Sequence, residues 1–350
     1  MKAAVFQTLA MLIFAFPSMP LHSQITMPEP NWDRAAAVET IRKAPTQDML
    51  KPLYRLARAG SNDELLDSLS SIEQNPGLPD PVRDYLVFSF TLGLSDLDAR
   101  SVNPAVLEFL SSYEARTLVS DSDHPQMVVP LFNIRAAAAG VRNRWDRQLA
   151  SARAENLFEE KPELWISSYL AAGQAGRRGF VDAMDFASPG QLGRLGWSAV
   201  AQLDVKPELT LVAARAGLNS GDFELLRQSI SRGEGPGLAT ALAAASDKLS
   251  AEESIELLDY TLQLGSDKKA ALAIAQLAPA RLDDPAVREM MFSTLADRNL
   301  GAAAAMVLSA SKDPAIQARL TEIASKGGGL ARDRAVLAIG ASRAEGEAEQ

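Results

Sequence analysis

Two segments of this chain recur within it, and that recurrence constrains the fold more than any other feature. KPELWISSYLAAGQAG, from Lys161, is echoed by KPELTLVAARAGLNSG, from Lys206, 45 residues on (161 to 206). DPAV at Asp284 is echoed by DPAI at Asp313, 29 residues on (284 to 313). The phase carries forward, with Met291 matching Leu320, Val307 matching Val336 and Leu308 matching Leu337. Such a unit is one supersecondary element reused in tandem, and it can bury its apolar face only on its neighbours.

Each unit reads as a helical hairpin. Val287, Met290, Met291 and Leu295 share one helical face, and Leu300, Ala303, Ala304, Val307 and Leu308 share the next. Ile255, Leu258 and Leu262, followed by Ala271, Ile274, Ala275 and Ala278, repeat the pattern upstream, so the array is expected from Leu203 to Ile339. Proline tolerates the first helical position, and a short polar residue before it caps free amides. Asp80-Pro81, Asn103-Pro104, Ser188-Pro189, Asp284-Pro285 and Asp313-Pro314 therefore read as helix starts, and so do Lys161-Pro162 and Lys206-Pro207 without a capping side chain. Gly60, Gly93, Gly217 and Gly265 read as stops. The one β-like run, Met127 to Ile134, contains Pro130 and is expected to lead into a helix.

LDDPAVREMMFSTLA (Leu282 to Ala296) and ARDRAVLAIGAS (Ala331 to Ser342) resemble the first and second helices of HEAT-type repeats, over about the last third of the chain. The spacings of 45 and 29 depart from that family's period of roughly 40 residues. The resemblance implies an all-α fold, an α-α superhelix built as a solenoid of antiparallel helical hairpins, whose concave face binds other macromolecules.

The expected organisation is a signal peptide over residues 1–23, an N-terminal helical region over 24–120, a central helical region over 121–202, the repeat array over 203–340 and a frayed acidic tail over 341–350. Lys2 followed by an apolar run from Ala3 to Phe16, then Pro17 and Pro20, is the signal pattern, with Ser23 suiting the cleavage position. Export to the periplasm, or secretion, is the resulting expectation. With no cysteine in the chain there is neither a lipid-anchoring residue nor a disulfide, and no later run approaches a membrane span. A net charge of −9 disfavours nucleic acid as a partner. From Trp32 to Thr117 about five amphipathic helices are expected.

Little in the sequence carries chemistry. Beyond the signal segment the one histidine is His124, in the turn-like SDSDHPQ, so a histidine-based metal site or nucleophile triad has no material. Asp121 and Asp123 lack the glycine and distal glutamate of a calcium loop and read as helix caps. Glu159-Glu160 and Glu252-Glu253 are adjacent pairs pointing different ways on a helix and read as solvated faces. No cofactor is expected, and none of the phosphate-binding glycine fingerprints occurs.

The most distinctive segment is a long helix from about Leu131 to Phe158. Ile134, Ala138, Val141, Trp145, Leu149 and Ala152 form its apolar stripe, which makes Trp145 core. Arg135, Arg142 and Arg153 lie on one flank, and Arg144 and Arg147 on the other. Five arginines on one helix of an acidic protein are a candidate anion-binding strip, or else pair with neighbouring carboxylates. Gly190, Gly193 and Gly196 in GQLGRLGW recur every three residues and read as a weak helix in a loop-rich junction, or as a place where another backbone comes close. The functional expectation is a non-catalytic scaffold or adaptor binding protein or peptide partners. The alternatives are a cell-wall glycan enzyme or enzyme subunit using an acidic pair, and a carrier of a small anionic ligand.

Overall fold

Proline at the first helical positions sets where six of the described α-helices begin, among them those at Pro104, Pro189, Pro285 and Pro314, each with a capping side chain before it. A computed structural model describes the backbone over residues 29–348, and side-chain burial to Ser342; the signal segment, residues 1–23, lies outside the described residues. The described residues form eighteen α-helices and one two-stranded sheet, an all-α protein whose helices pack against their chain neighbours. None of these helices is long and apolar enough to cross a membrane. The chain divides into two compact units: the described residues up to Leu94 with Asn103–Ala138, and Ser95–Val102 with the described residues from Ala139 on.

The first unit holds α1 (Arg34–Lys43), α2 (Thr46–Ala59), α3 (Asn62–Gln74), α4 (Asp80–Leu94) and α5 (Pro104–Ser112). Helix α4 packs on α1, α2 and α3 and buries residues around much of its circumference, including Leu86, Val87, Phe90 and Leu94, as a central helix must. Gly93 is not a stop, since it lies inside α4, where a side chain would collide with the Tyr54 ring. The buried carboxylate of Asp84 accepts hydrogen bonds from the Tyr113 hydroxyl (2.9 Å) and the backbone amides of Arg116 (2.9 Å) and Thr117 (2.7 Å). That anchor leads into β1 (Leu118–Ser120), which pairs antiparallel with β2 (Val128–Pro130) in the register Leu118↔Pro130. The Met127 run is thus partly a strand, contrary to expectation. Leu131 donates to Thr117 O (2.9 Å), and because alternate residues face the partner strand, the missing N–H of Pro130 points away from the pair.

Helix α6 (Ile134–Glu160) starts in the first unit, its amides capped by Asn133, and most of it belongs to the second. Ile134, Ala138, Val141 and Trp145 are buried as expected, but Leu149 is exposed. Beyond Trp145 the buried face turns to Ala154 and Phe158, which pack in a core with Trp165 and Phe180.

Then follow α7 (Trp165–Ala171), α8 (Gln174–Ala183), α9 (Pro189–Val200), α10 (Thr210–Ser220), α11 (Phe223–Arg232), α12 (Pro236–Lys248), α13 (Ala251–Gln263), α14 (Asp267–Leu277), α15 (Pro285–Thr294), α16 (Gly301–Ser309), α17 (Pro314–Lys326) and α18 (Gly329–Ala348). The two KPEL copies fold alike: Pro162–Leu164 and Pro207–Leu209 each form a 3₁₀ turn that runs into α7 and α10. Gly217 lies inside α10, where an added Cβ would sit 2.8 Å from the Leu226 amide nitrogen; the left-handed stop is Gly221 (φ 72°). Gly60 and Gly265 are left-handed (φ 69° each), in keeping with their reading as stops.

Alternate helices are neighbours. Along one side α10 touches α12, α12 touches α14, α14 touches α16 and α16 touches α18; along the other α9 touches α11 and α11 touches α13. Helix starts on each side recur every ~30 residues, compatible with a helical-repeat solenoid. Arg227 of α11 stacks on Tyr260 (4.3 Å) and pairs with Glu256 (3.4 Å) of α13, and Arg319 of α17 does the same with Phe292 (4.3 Å) and Glu289 (2.7 Å) of α15. The Asp284 and Asp313 copies each cap their helix through the amide two residues on, and lie side by side, joined by Arg288 to Asp313 (3.5 Å).

The copied phase holds in the first helix of this pair, where Met291 and Leu320 are both fully buried. It slips in the second: Val307 and Leu308 are buried, but Val336 and Leu337 are exposed, and α18 buries Ala335 and Ala338 instead. Arg334 explains the slip, because it reaches the carbonyls of Leu295 (2.8 Å), Asp297 and Arg298 (2.7 Å) just past α15, fixing the rotation of α18 about one residue, ~100°, away. Helix α18 also carries helical backbone into the segment read as a frayed tail.

Candidate functional site

Helices α6 and α8 approach closely because α8 is built on small residues. Gly179 sits where any side chain would strike the Arg147 carbonyl and the Ser151 amide, and Gly176 lies near Ala150. That proximity brings Arg147 of α6 to Asp182 of α8: Nη2 is 2.7 Å from Oδ1, and Nε meets Oδ2, a two-pronged pair with both side chains partly exposed. The hydrogen bond that Arg147 donates to Asp182 raises the Arg147 pKa, so the guanidinium is held charged.

Beside this pair lies a groove of about 930 Å³. Arg144 and Arg147 line its α6 wall, and Arg178 and Asp182 its α8 wall. Arg144 and Arg178 are exposed and make no hydrogen bond or ion pair among the described residues. The groove also meets the start of α8 at Gly173 to Gly176, where no side chain caps the amides and no acidic residue occupies the first turn. Asp146 is the second acid of the lining, so three arginines face two aspartates in a protein that is acidic as a whole.

The five arginines of α6 therefore divide. Arg144 and Arg147 meet in the groove. Arg135 caps the end of α5 through the carbonyls of Tyr113 (3.0 Å) and Ser112 (3.4 Å) and lies 3.6 Å from Glu114. Arg153 reaches the Ser168 hydroxyl at 3.2 Å, and Arg142 is exposed without a partner among the described residues.

Arg178 and Asp182 escape a reading of α6 because they sit on another helix, and only the start of that helix carries a sequence signal. GQAGRRGF (Gly173–Phe180) and GQLGRLGW (Gly190–Trp197) share Gly, Gln, Gly, Arg and Gly at the same spacing, and they lie on consecutive helices, α8 and α9. The second segment is thus a regular helix rather than a loop-rich junction, opened by a Ser188/Gln191 capping box. Close approach is confined to Gly196, which meets Leu225 and Ala216; Gly193 has open space around it.

The carboxylate pairs are committed elsewhere. Glu253 caps α13 through Ser250, whose hydrogen bonds lower its pKa, and Glu252 beside it is exposed. Glu159 accepts from the Gln191 amide at 2.8 Å. Asp121 accepts from the amides of Asp123 and His124 (2.9 Å each), organising the turn that carries the exposed His124. No grouping of three or more potential ligands for a metal ion occurs among the described residues. No protein-family model, curated protein or solved structure matches the chain.

Proposed function

We propose that this chain is an exported, non-catalytic scaffold or adaptor, a HEAT-like solenoid whose groove between α6 and α8 receives an acidic segment of a protein partner. The observation that carries the reading is the pair of exposed guanidiniums, Arg144 and Arg178, without partners among the described residues and lining one groove with the Arg147–Asp182 pair. Planar guanidiniums bind carboxylates through two parallel hydrogen bonds, and Arg147 joins them once a ligand carboxylate displaces Asp182. The uncapped first turn of α8 adds amide donors to the same space.

The reading is tested by titrating a peptide rich in Asp and Glu into the full chain and into the double variant Arg144→Glu, Arg178→Glu. Both positions are exposed, so the thermal midpoint is expected to stay within a few degrees while affinity falls by at least about tenfold. Equal affinity in the variant removes the proposal.

A further inference from the structure

The glycine-patterned segment occurs twice, and each copy lines its own concavity. Matched position by position, Gln174 corresponds to Gln191, Arg177 to Arg194 and Arg178 to Leu195. Two of these correspondences change the chemistry. Arg177 is spent on the carbonyls of Leu170 (2.8 Å) and Ala172 (3.1 Å) at the end of α7, whereas Arg194 is exposed and has no hydrogen bond or ion pair among the described residues. Where the first copy presents Arg178 to its groove, the second presents the apolar Leu195.

The second concavity, about 470 Å³, lies between the end of α6, the start of α7 and one face of α9. This volume falls within the range of roughly 300–1,000 Å³ typical of pockets for small ligands. Its floor is Phe158, Trp165, Ile166 and Leu195, all buried. Its rim carries two cations, Arg194 and Lys206, against a single acid, Glu163. Lys206 is steadied by Gln202 (3.0 Å). Ser198, one turn beyond Arg194 on α9, lines the pocket with a hydroxyl that makes no hydrogen bond among the described residues. The indole N–H of Trp165 is likewise buried without an acceptor.

We propose that this pocket binds the free C-terminus of a partner polypeptide that ends in a large apolar residue. The apolar floor takes the last side chain, and Arg194 with Lys206 takes the terminal carboxylate. The Ser198 hydroxyl takes the adjoining peptide group, which is why a peptide fits this rim better than an alkyl chain does. The site is separate from the groove between α6 and α8, and an acidic internal segment there neither requires nor excludes it.

The test uses fluorescence anisotropy with the full chain and an N-terminally labelled octapeptide ending in Leu-Phe, as the free acid and as the amide. The free acid is expected to bind, the amide at least about tenfold more weakly, and Arg194→Glu to cost the free acid a similar factor. Arg144→Glu, in the other groove, is expected to leave this binding unchanged, which separates failure of the two sites. Equal binding of acid and amide, an unaltered affinity in Arg194→Glu with retained fold, or displacement by lauric acid in place of any peptide binding would each overturn the inference.

Discussion

Replacing Asp182 by Asn gives a test in which a structural role and a role in binding predict opposite outcomes. Asp182 neutralises Arg147 through a two-pronged pair whose side chains are 50% and 36% exposed. An incoming carboxylate must compete with it for the same guanidinium. Exposed pairs of this kind contribute about 0.2–1 kcal/mol to stability, so removing the charge should lower the midpoint by no more than roughly 4 °C. The same ~0.2–1 kcal/mol is no longer lost when an anion takes Arg147, and the groove gains one net positive charge. Affinity for an acidic peptide should therefore rise, about 1.4-fold to fivefold, where deletion of a merely structural pair would leave it unchanged or lower it. Isothermal titration at low salt and at ~1 M salt provides the check, since a Debye length of roughly 3 Å at the higher concentration should erase the gain. Unchanged or weaker binding by a folded Asp182→Asn protein would refute the claim that Arg147 faces the ligand.

Two further outcomes concern the frame around the site. Asp84→Ala leaves the buried Tyr113 hydroxyl and Thr117 amide without an acceptor, at ~1–3 kcal/mol for each group, so urea denaturation should show a loss of about 2–6 kcal/mol; a loss below ~1 kcal/mol would remove Asp84 as the anchor of β1. Burial, then the Asp84 charge, raises the Tyr113 pKa, so that hydroxyl stays protonated as a donor throughout the working range. At Asp185 burial acts to raise the pKa, but hydrogen bonds from Arg215 and Asn219 outweigh it and the net shift is downward. A lowered carboxylate pKa stabilises the fold above the unfolded value of about 3.9 and loses that contribution as pH falls through the folded value. The melting difference between wild type and Asp185→Asn should thus be constant from pH 5 to 8, below about 1 kcal/mol for this half-exposed group, and close below ~pH 4; a gap persisting at pH 2 contradicts the assignment.

Helix starts were legible because proline at the first position needs no hydrogen-bonded N–H and Asp or Ser before it caps the turn, as at Asp284, Asp313 and Ser188. Glycine was ambiguous for a physical reason: Gly60 and Gly221 have positive φ, while Gly93 and Gly217 are helical residues where a neighbour leaves no room for a side chain. A single sequence does not separate these uses. Helical periodicity placed Arg144 and Arg147 on one side of α6, but Asp182, the partner of Arg147, lies 35 positions away on α8, beyond the reach of any local pattern. Arg135 lay outside the strip because it caps the end of α5, a tertiary contact that local spacing does not encode.

The central claim is that an acidic partner segment sits against Arg144, Arg147 and Arg178 at the start of α8. Its most direct test is mapping amide chemical shifts in the isotope-labelled full chain while an Asp- and Glu-rich peptide is added. The account predicts that the largest shifts fall on Gly173 to Gly176 and on the arginine side chains of the groove, and that they vanish in Arg144→Glu, Arg178→Glu. Shifts concentrated on α12 to α18, with Gly173 to Gly176 unmoved, would contradict it.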